Sequence, residues 1–195
     1  MLAVRRAINL EASMQTLAVM PVPTINDTLP DNLKSIRTRP MFVMRLNVAK
    51  APLVVGRTPH HAAALAYAVR YRCTSITGLT GFFEGDRLSG RVLDGGSDWQ
   101  TVRHDGTVRL NARLTLCTSD NALVSMMYQG VRHGPADVIA RLESGETVDP
   151  KSYYFRTTTS FQTSAPQYDW VNRVIGLGIG HRLADGPIYS IFELL

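Results

Sequence analysis

Two dipeptides, Asp105-Gly106 and Asp120-Asn121, constrain the fold of this chain more than any other sequence feature. Dipeptides of this kind favour the tight turns that join antiparallel strands. The residues around them mix apolar and polar types and are rich in Val, Leu and Thr, which is typical of strands. The sequence therefore predicts consecutive antiparallel strands over 100–104, 107–117 and 122–132.

Further strands are expected on both sides of these hairpins. Strand-like patterns cover residues 41–48, 53–55, 69–77, 82–93, 153–163, 174–182 and 188–193, and the alanine-rich segment 60–67 suits one or two helical turns. One clear helix is expected between Pro135, which suits a first helical position, and Gly145, which ends it. Many short antiparallel strands, tight turns and one short helix indicate an all-β protein, a single antiparallel β-barrel.

Length and composition exclude several classes of protein. The chain has 195 residues, about one domain, of which 45% are hydrophobic and 19% charged, so it is neither disordered nor collagen-like. Because no apolar run reaches about 18 residues, we expect no membrane span and no membrane partner. Cys73 and Cys117 are too few for a disulfide framework.

Residues 1–40 are expected to form an N-terminal extension, a short helix and an irregular arm, before a barrel domain at 41–195. Arg5-Arg6 is similar to the start of a twin-arginine export signal, but polar residues between Glu11 and Thr16 break the apolar region that such a signal needs. We therefore expect the segment to be retained in a cytoplasmic protein, as a packing extension or a dimer strap.

The charge balance is basic, with 21 Lys and Arg against 16 Asp and Glu and a formal net charge of +5. The arginines are scattered singly and the aromatic pattern of an RNA-binding sheet is missing, so we expect no nucleic acid partner. Arginines that contact an anionic small molecule are an alternative to a solvated basic surface.

Motifs for a metal or a nucleotide cofactor are missing from the sequence. The five histidines lack the spacing of a zinc site. Gly176, Gly178 and Gly180 imitate a nucleotide-binding loop, but no helix is expected after them. Alternating glycines in a strand also allow a large residue or another strand to come close. We therefore expect neither a metal nor a cofactor.

The hairpin turns also predict which residues face each other, because residues equidistant from a two-residue turn lie opposite one another. This pairing predicts two rows on one face of the sheet, Asp98–Arg113–Tyr128 and Gln100–Asn111–Gly130. The face is either a solvent surface with an ordinary ion pair between Asp98 and Arg113 or the lining of a barrel lumen that contacts a bound molecule. The spacing alone leaves both interpretations open.

Two further segments carry candidate binding residues. Tyr154 and Arg156 share one side of the strand at 153–163, and an arginine beside an aromatic ring suits a planar anion or an aromatic ligand. Arg156 equally suits a brace for a neighbouring strand. Asn172, between Trp170 and the next strand, is placed to cap one mouth of the barrel.

Two long stretches of the chain carry a recognisable pattern. They read GDRLSGRVLDGGSDWQTVRHDGTVRLNARLTLCTSDNALV and GVRHGPADVIARLESGETVDPKSYYFRTTTSFQTSAPQYDWVNR. From about Met41 to its C-terminus the chain resembles the domain-of-unknown-function 3237 family, also called the UPF0311 proteins. The resemblance implies a compact antiparallel barrel, similar to lipocalin-like and avidin-like cups and often oligomeric, with no established reaction or cofactor.

The chain departs from the usual pattern of that family at particular positions. Asn111 stands where aspartate is common, Gln162 where glutamate is common and Thr159 where proline is common. The loss of two acidic groups weakens a mechanism that would use either position as a general base.

Our hypothesis from the sequence is a cofactor-free barrel that binds a mostly apolar, aromatic or polycyclic metabolite in its lumen and catalyses its isomerisation or cyclisation. The residues assigned to catalysis are Asp98, Arg113 and Tyr128. The residues assigned to ligand binding are Trp99, Asn111, Arg132, Tyr154, Arg156 and Asn172. The alternatives are a carrier or sensor without chemistry and a homo-oligomeric accessory protein whose barrel is filled.

Overall fold

A computed structural model of the chain describes residues 24–48, 53–57, 70–75 and 81–195. The strands, numbered β1 to β11 in chain order, are Thr38–Arg45, Leu53–Arg57, Arg70–Ser75, Gly81–Glu84, Gly90–Val92, Ser97–Val102, Val108–Thr118, Leu123–His133, Tyr154–Gln162, Gly176–Leu183 and Gly186–Leu194. Helices α1 and α2 are Ile25–Thr28 and Ala136–Glu143, and 3₁₀ helices cover Asp31–Leu33, Pro150–Ser152 and Pro166–Arg173. The helical turns expected at 60–67 lie outside the described residues.

Eight antiparallel strands close into a barrel. Around the wall the order is β7, β5, β4, β1, β11, β10, β9 and β8, and the ring closes because β8 pairs with β7 from Val108–Arg132 to Cys117–Leu123. Closure pairs the strands of the ring on both sides and so covers their edges. The all-β barrel expected from the sequence is confirmed.

Strand β6 branches from this wall. It pairs with the first half of β7, on the edge that β5 uses further along, and β3 and β2 follow it in the sheet. A turn at Asp94 and Gly95 separates β5 from β6. Gly95 has a φ of +93°, and the Asp94 carboxylate accepts a hydrogen bond from its N–H at 2.8 Å. The chain thus forms a strand of the barrel wall, β5, and then, after one turn, the branching strand β6.

The chain divides into two compact units, residues 1–36 and 37–195. In the described part of the first unit, Thr24 and Asp27 form a capping box at α1, and neither short helix buries a side chain. The second unit holds the barrel and an apolar core, to which α2 contributes Val138, Ile139 and Leu142. Strand β1 begins at Thr38, a few residues before the start expected at Met41.

The hairpin turns at Asp105-Gly106 and Asp120-Asn121 differ from those expected. In the first turn the Arg103 N–H donates to the Thr107 carbonyl, so the loop holds the three residues 104–106, and Gly106 has a φ of +80°. In the second turn the N–H of residue 118 donates to the carbonyl of residue 122, and Asn121 has a φ of +66°. Three-residue loops that end in a left-handed residue are common hairpin connections. Each loop therefore holds one more residue than expected.

The extra residue moves each pairing by one position, so the predicted rows are wrong: relative to β6 and β8, each residue of β7 faces the opposite side of the sheet from the one expected. Asp98 lies opposite Ala112, which lies opposite Tyr128, whereas Arg113 lies opposite Ser97. Asp98 and Tyr128 are only 5% and 3% exposed, while Arg113 is exposed. Asp98 and Tyr128 therefore point into the barrel, and Arg113 points to solvent.

Candidate functional site

A buried carboxylate, that of Asp98, lies inside the barrel. The alternation of β6 directs Asp98 and Val102 inward and Trp99 outward. The Gln100 Nε2 donates a hydrogen bond to the Asp98 Oδ2 at 2.8 Å, which orients the carboxylate. Ala112, its neighbour on β7, is small and leaves room for larger inward side chains. Because aspartate is rarely buried without partners or a use, Asp98 is a functional candidate.

Two buried tyrosines, Tyr128 on β8 and Tyr189 on β11, meet inside the same barrel. Their hydroxyl oxygens are 3.3 Å apart, within hydrogen-bonding distance, and their ring centroids are 5.3 Å apart. Burial raises the pKa of both phenols, and the negative charge of Asp98 raises it further. Both hydroxyls therefore keep their protons around neutral pH and can act as hydrogen-bond donors.

Two arginines bring positive charge to this interior. Arg132 on β8 is 4% exposed, and its Nη2 donates to the Glu143 Oε1 on α2 at 2.6 Å. Arg182 on β10 is partly buried, and its backbone N–H donates to the Tyr153 hydroxyl at 2.8 Å. Burial dominates the raised pKa of Tyr189, while the charges of both arginines act to lower it. Both guanidinium groups are therefore near enough to favour a negative charge beside the phenols.

These side chains form what we call the interior cluster: Asp98, Tyr128, Arg132, Arg182 and Tyr189. The cluster combines a carboxylate, phenol donors and guanidinium groups inside an apolar barrel, where charges interact more strongly than in water. A carboxylate can take a proton from a bound molecule, and fixed donors can stabilise an oxygen that becomes negative.

The structure places most of the residues assigned from the sequence in two groups on opposite faces of the sheet, and leaves Arg113 and Asn172 outside both. Asp98, Tyr128 and Arg132 lie together in the interior cluster. The predicted pairing of Asp98 with Arg113 is wrong, because the register places the Arg113 side chain on the outer face of β7. Arg113 therefore has no position from which to assist the interior carboxylate.

The second group lines a concave region of about 530 Å³ on the outside of the barrel, which we call the outer groove. Its floor is the backbone of β7, β8 and β9. Its main side chains are Trp99, Arg109, Asn111, Gln129, Tyr154 and Arg156. The guanidinium carbon of Arg156 lies 5.1 Å from the centroid of the Tyr154 ring, which is a cation–π distance.

Asn172 belongs to neither group. It lies on the 3₁₀ helix Pro166–Arg173, and its amide exchanges hydrogen bonds with the Thr163 backbone, accepting from the N–H at 2.8 Å and donating to the carbonyl at 3.0 Å. Its side chain braces the connection after β9.

Sequence reasoning missed part of the interior cluster. On β11 the inward-facing positions 189, 191 and 193 hold Tyr189, Ile191 and Glu193. A polar residue at an inward-facing position of a strand is a signal by which the sequence could have indicated Tyr189. Arg182 carries no such signal, because it lies at the end of β10, where the alternation of buried and exposed positions stops.

Among the described residues, no three or more His, Cys, Asp or Glu side chains come together in a way that could hold a metal ion. None of the helices in the same part of the chain is both long enough and apolar enough to cross a membrane.

Comparison with known proteins identifies the family. A family model described as a protein of unknown function, DUF3237, matches residues 36–194. The chain belongs to this family. The UPF0311 protein of Clostridium acetobutylicum is 31% identical to it over 163 residues, which are 84% of this chain and 97% of that protein. The resemblance found in the sequence is thereby confirmed.

Solved structures share the barrel fold. A conserved protein of unknown function from Rhodopseudomonas palustris matches with a TM-score of 0.71 and 28% identity, over 83% of this chain and 98% of that one. A β-barrel-like protein from Acinetobacter baumannii matches with a TM-score of 0.67 and 35% identity, over 83% and 97% of the two chains. An enzyme from Penicillium herquei, with a TM-score of 0.55 and 16% identity over 82% and 95% of the chains, shares the fold alone.

Proposed function

We propose that this DUF3237 protein binds a mostly apolar, aromatic or polycyclic carbonyl compound at the interior cluster and moves a proton on it, which leads to isomerisation or cyclisation. The observation that supports the proposal is that the buried carboxylate of Asp98 lies in one inward-facing row with Tyr128, whose phenol is within hydrogen-bonding distance of the buried Tyr189. Burial of ionisable groups costs stability, so apolar residues would serve a purely structural barrel better.

Asp98 acts as the general base in this proposal. Its carboxylate takes a proton from a carbon next to the carbonyl group of the substrate. The electron pair of the broken C–H bond then forms an enolate, whose oxygen carries the negative charge. The Gln100 amide, which holds the Asp98 Oδ2, keeps the carboxylate in one orientation for this transfer.

The Tyr128 hydroxyl donates the hydrogen bond that stabilises the enolate oxygen, and the Tyr189 hydroxyl, which donates to the Tyr128 hydroxyl, supports it. Burial and the charge of Asp98 raise the pKa of both phenols, so both keep their protons. The charges of Arg132 and Arg182 add to this stabilisation.

The enolate then reacts in one of two ways. Return of the proton from Asp98 to a different carbon gives an isomer. Attack of the enolate on an electrophilic carbon of the same molecule closes a ring, and the product takes the proton that Asp98 holds. Both routes use only groups of this chain and of the substrate.

Hydrogen–deuterium exchange on 2-tetralone tests the proposal. This bicyclic ketone has acidic hydrogens next to its carbonyl, and NMR in D₂O follows both its binding and the loss of those hydrogens. We expect the protein to bind it and accelerate exchange. Asp98→Asn should lower the exchange rate about 100-fold or more, and Tyr128→Phe about 10-fold or more, because one donor to the enolate is lost.

Arg113→Ala is the matched control, because Arg113 lies on the outer face, and it should exchange at the wild-type rate. Circular dichroism and thermal unfolding check that each variant keeps its barrel. Binding without faster exchange in the wild-type protein would indicate a carrier. Exchange that survives Asp98→Asn in a folded variant would contradict the assignment of the base.

A further inference from the structure

The outer groove lies on the opposite side of the sheet from the interior cluster, so its properties are independent of the proposed function. Strand register sets its side chains in parallel rows. Arg109 on β7 lies opposite Val131 on β8, which lies opposite Arg156 on β9. In the next row, Asn111 lies opposite Gln129. The groove therefore carries a row with two arginines beside a row with two amides.

The spacing of the two arginines suits two anionic groups on one molecule. Neighbouring strands are about 4.8 Å apart, so the Cα atoms of Arg109 and Arg156, two strands apart, are separated by about 10 Å. Each long side chain can extend along the outer face toward the other, over the shorter Val131 between them. The two guanidinium groups can therefore contact opposite edges of a ligand that has the size of a single ring.

The charge of this face is unbalanced. Among the outward-facing residues of β6, β7, β8 and β9, all of which are described, none is Asp or Glu. Within the described residues, no carboxylate pairs with Arg109 or Arg156, and the Arg156 Nη1 donates to the neighbouring Phe155 carbonyl. An anion would thus meet two guanidinium groups whose charge is not already neutralised by a carboxylate.

Aromatic rings border the same groove. Trp99 on β6 is 52% exposed and Tyr154 on β9 is 45% exposed, which is unusual for large aromatic side chains on strands that also build a core. A planar ligand could stack against such a ring while its anionic groups contact the arginines.

We infer that the outer groove is a second small-molecule site, for a planar aromatic compound that carries two anionic groups such as carboxylates. Arg109 and Arg156 bind the anionic groups, Asn111 and Gln129 donate hydrogen bonds from the adjacent row, and Trp99 provides the stacking surface. The volume of about 530 Å³ is in the range of known small-molecule sites.

Titration with benzene-1,3-dicarboxylate, followed by tryptophan fluorescence, tests this inference. Trp99 lies in the groove, so its emission should change on binding. We expect Arg109→Ala and Arg156→Ala each to weaken binding about 10-fold or more, and added salt to weaken it further. The uncharged benzene-1,3-dicarboxamide should bind about 10-fold less tightly or worse. Trp99→Phe should abolish the fluorescence change.

Arg113→Ala is the matched control, since Arg113 lies on the same face of β7 but outside the groove, and it should change the affinity less than about twofold. Tyr128→Phe should leave dicarboxylate binding unchanged, which separates this site from the interior cluster. No saturable binding below about 10 mM, or equal affinity in Arg109→Ala and Arg113→Ala, would overturn the inference. A molecular mass in light scattering that falls with Arg109→Ala would assign the face to self-association and would also overturn it.

Discussion

Glu193 joins separate parts of the barrel through one carboxylate. Its Oε2 accepts hydrogen bonds from the Arg39 Nη2 on β1 and from the Arg87 Nη1 between β4 and β5, both at 2.7 Å. The Arg87 guanidinium also lies 3.5 Å from the centroid of the Trp170 ring. Burial acts to raise the pKa of Glu193, but hydrogen bonds and charges from both arginines outweigh it and hold the pKa below the ordinary value of 4.5.

We predict that Glu193→Gln lowers the free energy of unfolding by about 1–2 kcal/mol at pH 7, because Arg39 and Arg87 lose their common counter-charge. Thermal unfolding followed by circular dichroism should show a Tm lower by about 3–8 °C. A carboxyl group whose pKa is lowered by folding stabilises the fold above its unfolded pKa and loses that contribution as the pH falls through its folded value. The difference between variant and wild type should therefore shrink as the pH falls below 4.5.

Glu146→Gln is the matched control for this prediction. Glu146 pairs with Arg141, and both side chains are about half exposed, so the substitution should change the Tm little. A Glu193→Gln protein as stable as the wild type at pH 7 would show that the negative charge shared by Arg39 and Arg87 contributes nothing to the free energy of unfolding.

At the scale of elements, the inward side chains of β9 pack against glycines of the neighbouring strand β10. The inward residues of β9 are large or branched, and the facing positions of β10 are glycines. A Cβ on Gly180 would lie 2.6 to 2.8 Å from three ring atoms of Phe155, and Phe155 packs edge-on against Tyr189 with the ring centroids 5.3 Å apart. The close approach allowed by alternating glycines is confirmed, and it positions a ring next to the interior cluster.

We predict that Gly180→Ala destabilises the protein by about 1–3 kcal/mol, because the added methyl group displaces the Phe155 ring inside a packed barrel. The displacement should also disturb Tyr189, so the exchange of 2-tetralone should slow in the folded variant. Ile179→Ala, on the same strand but 46% exposed, is the control and should lower stability less. Urea unfolding measures both changes, and equal stability of Gly180→Ala and wild type would disprove the crowding argument.

At the scale of the whole molecule, the unit at residues 37–195 holds the described apolar core and both terminal strands of the chain's barrel. Every residue of its described apolar core lies between Met41 and Ile191. Its first and last strands pair with each other, and the Leu195 N–H donates to the Arg37 carbonyl at 2.9 Å. The ends of residues 37–195 are thus tied within the unit itself.

We predict that a chain shortened to residues 37–195 keeps a single cooperative unfolding transition and the near-ultraviolet circular dichroism of the full chain, because closure of the barrel is preserved. Shortening to residues 47–195 removes β1, which pairs with both β11 and β4, and should abolish the cooperative transition. Loss of cooperative folding in the 37–195 chain would show that the barrel depends on residues before Arg37.

The sequence predicts the strand segments, both hairpins and the helix after Pro135 from local patterns alone, because alternation, turn residues and helix ends are local properties. It also placed Asp98 and Tyr128 on one face. Their separation from Arg113 follows from tertiary packing, because Asp-Gly and Asp-Asn permit loops of two or three residues and burial of the apolar Leu110, Ala112 and Leu114 of β7 favours the longer loop. Tyr189 reaches Tyr128 across 61 residues of sequence, since closure of the barrel creates contacts that no local pattern contains.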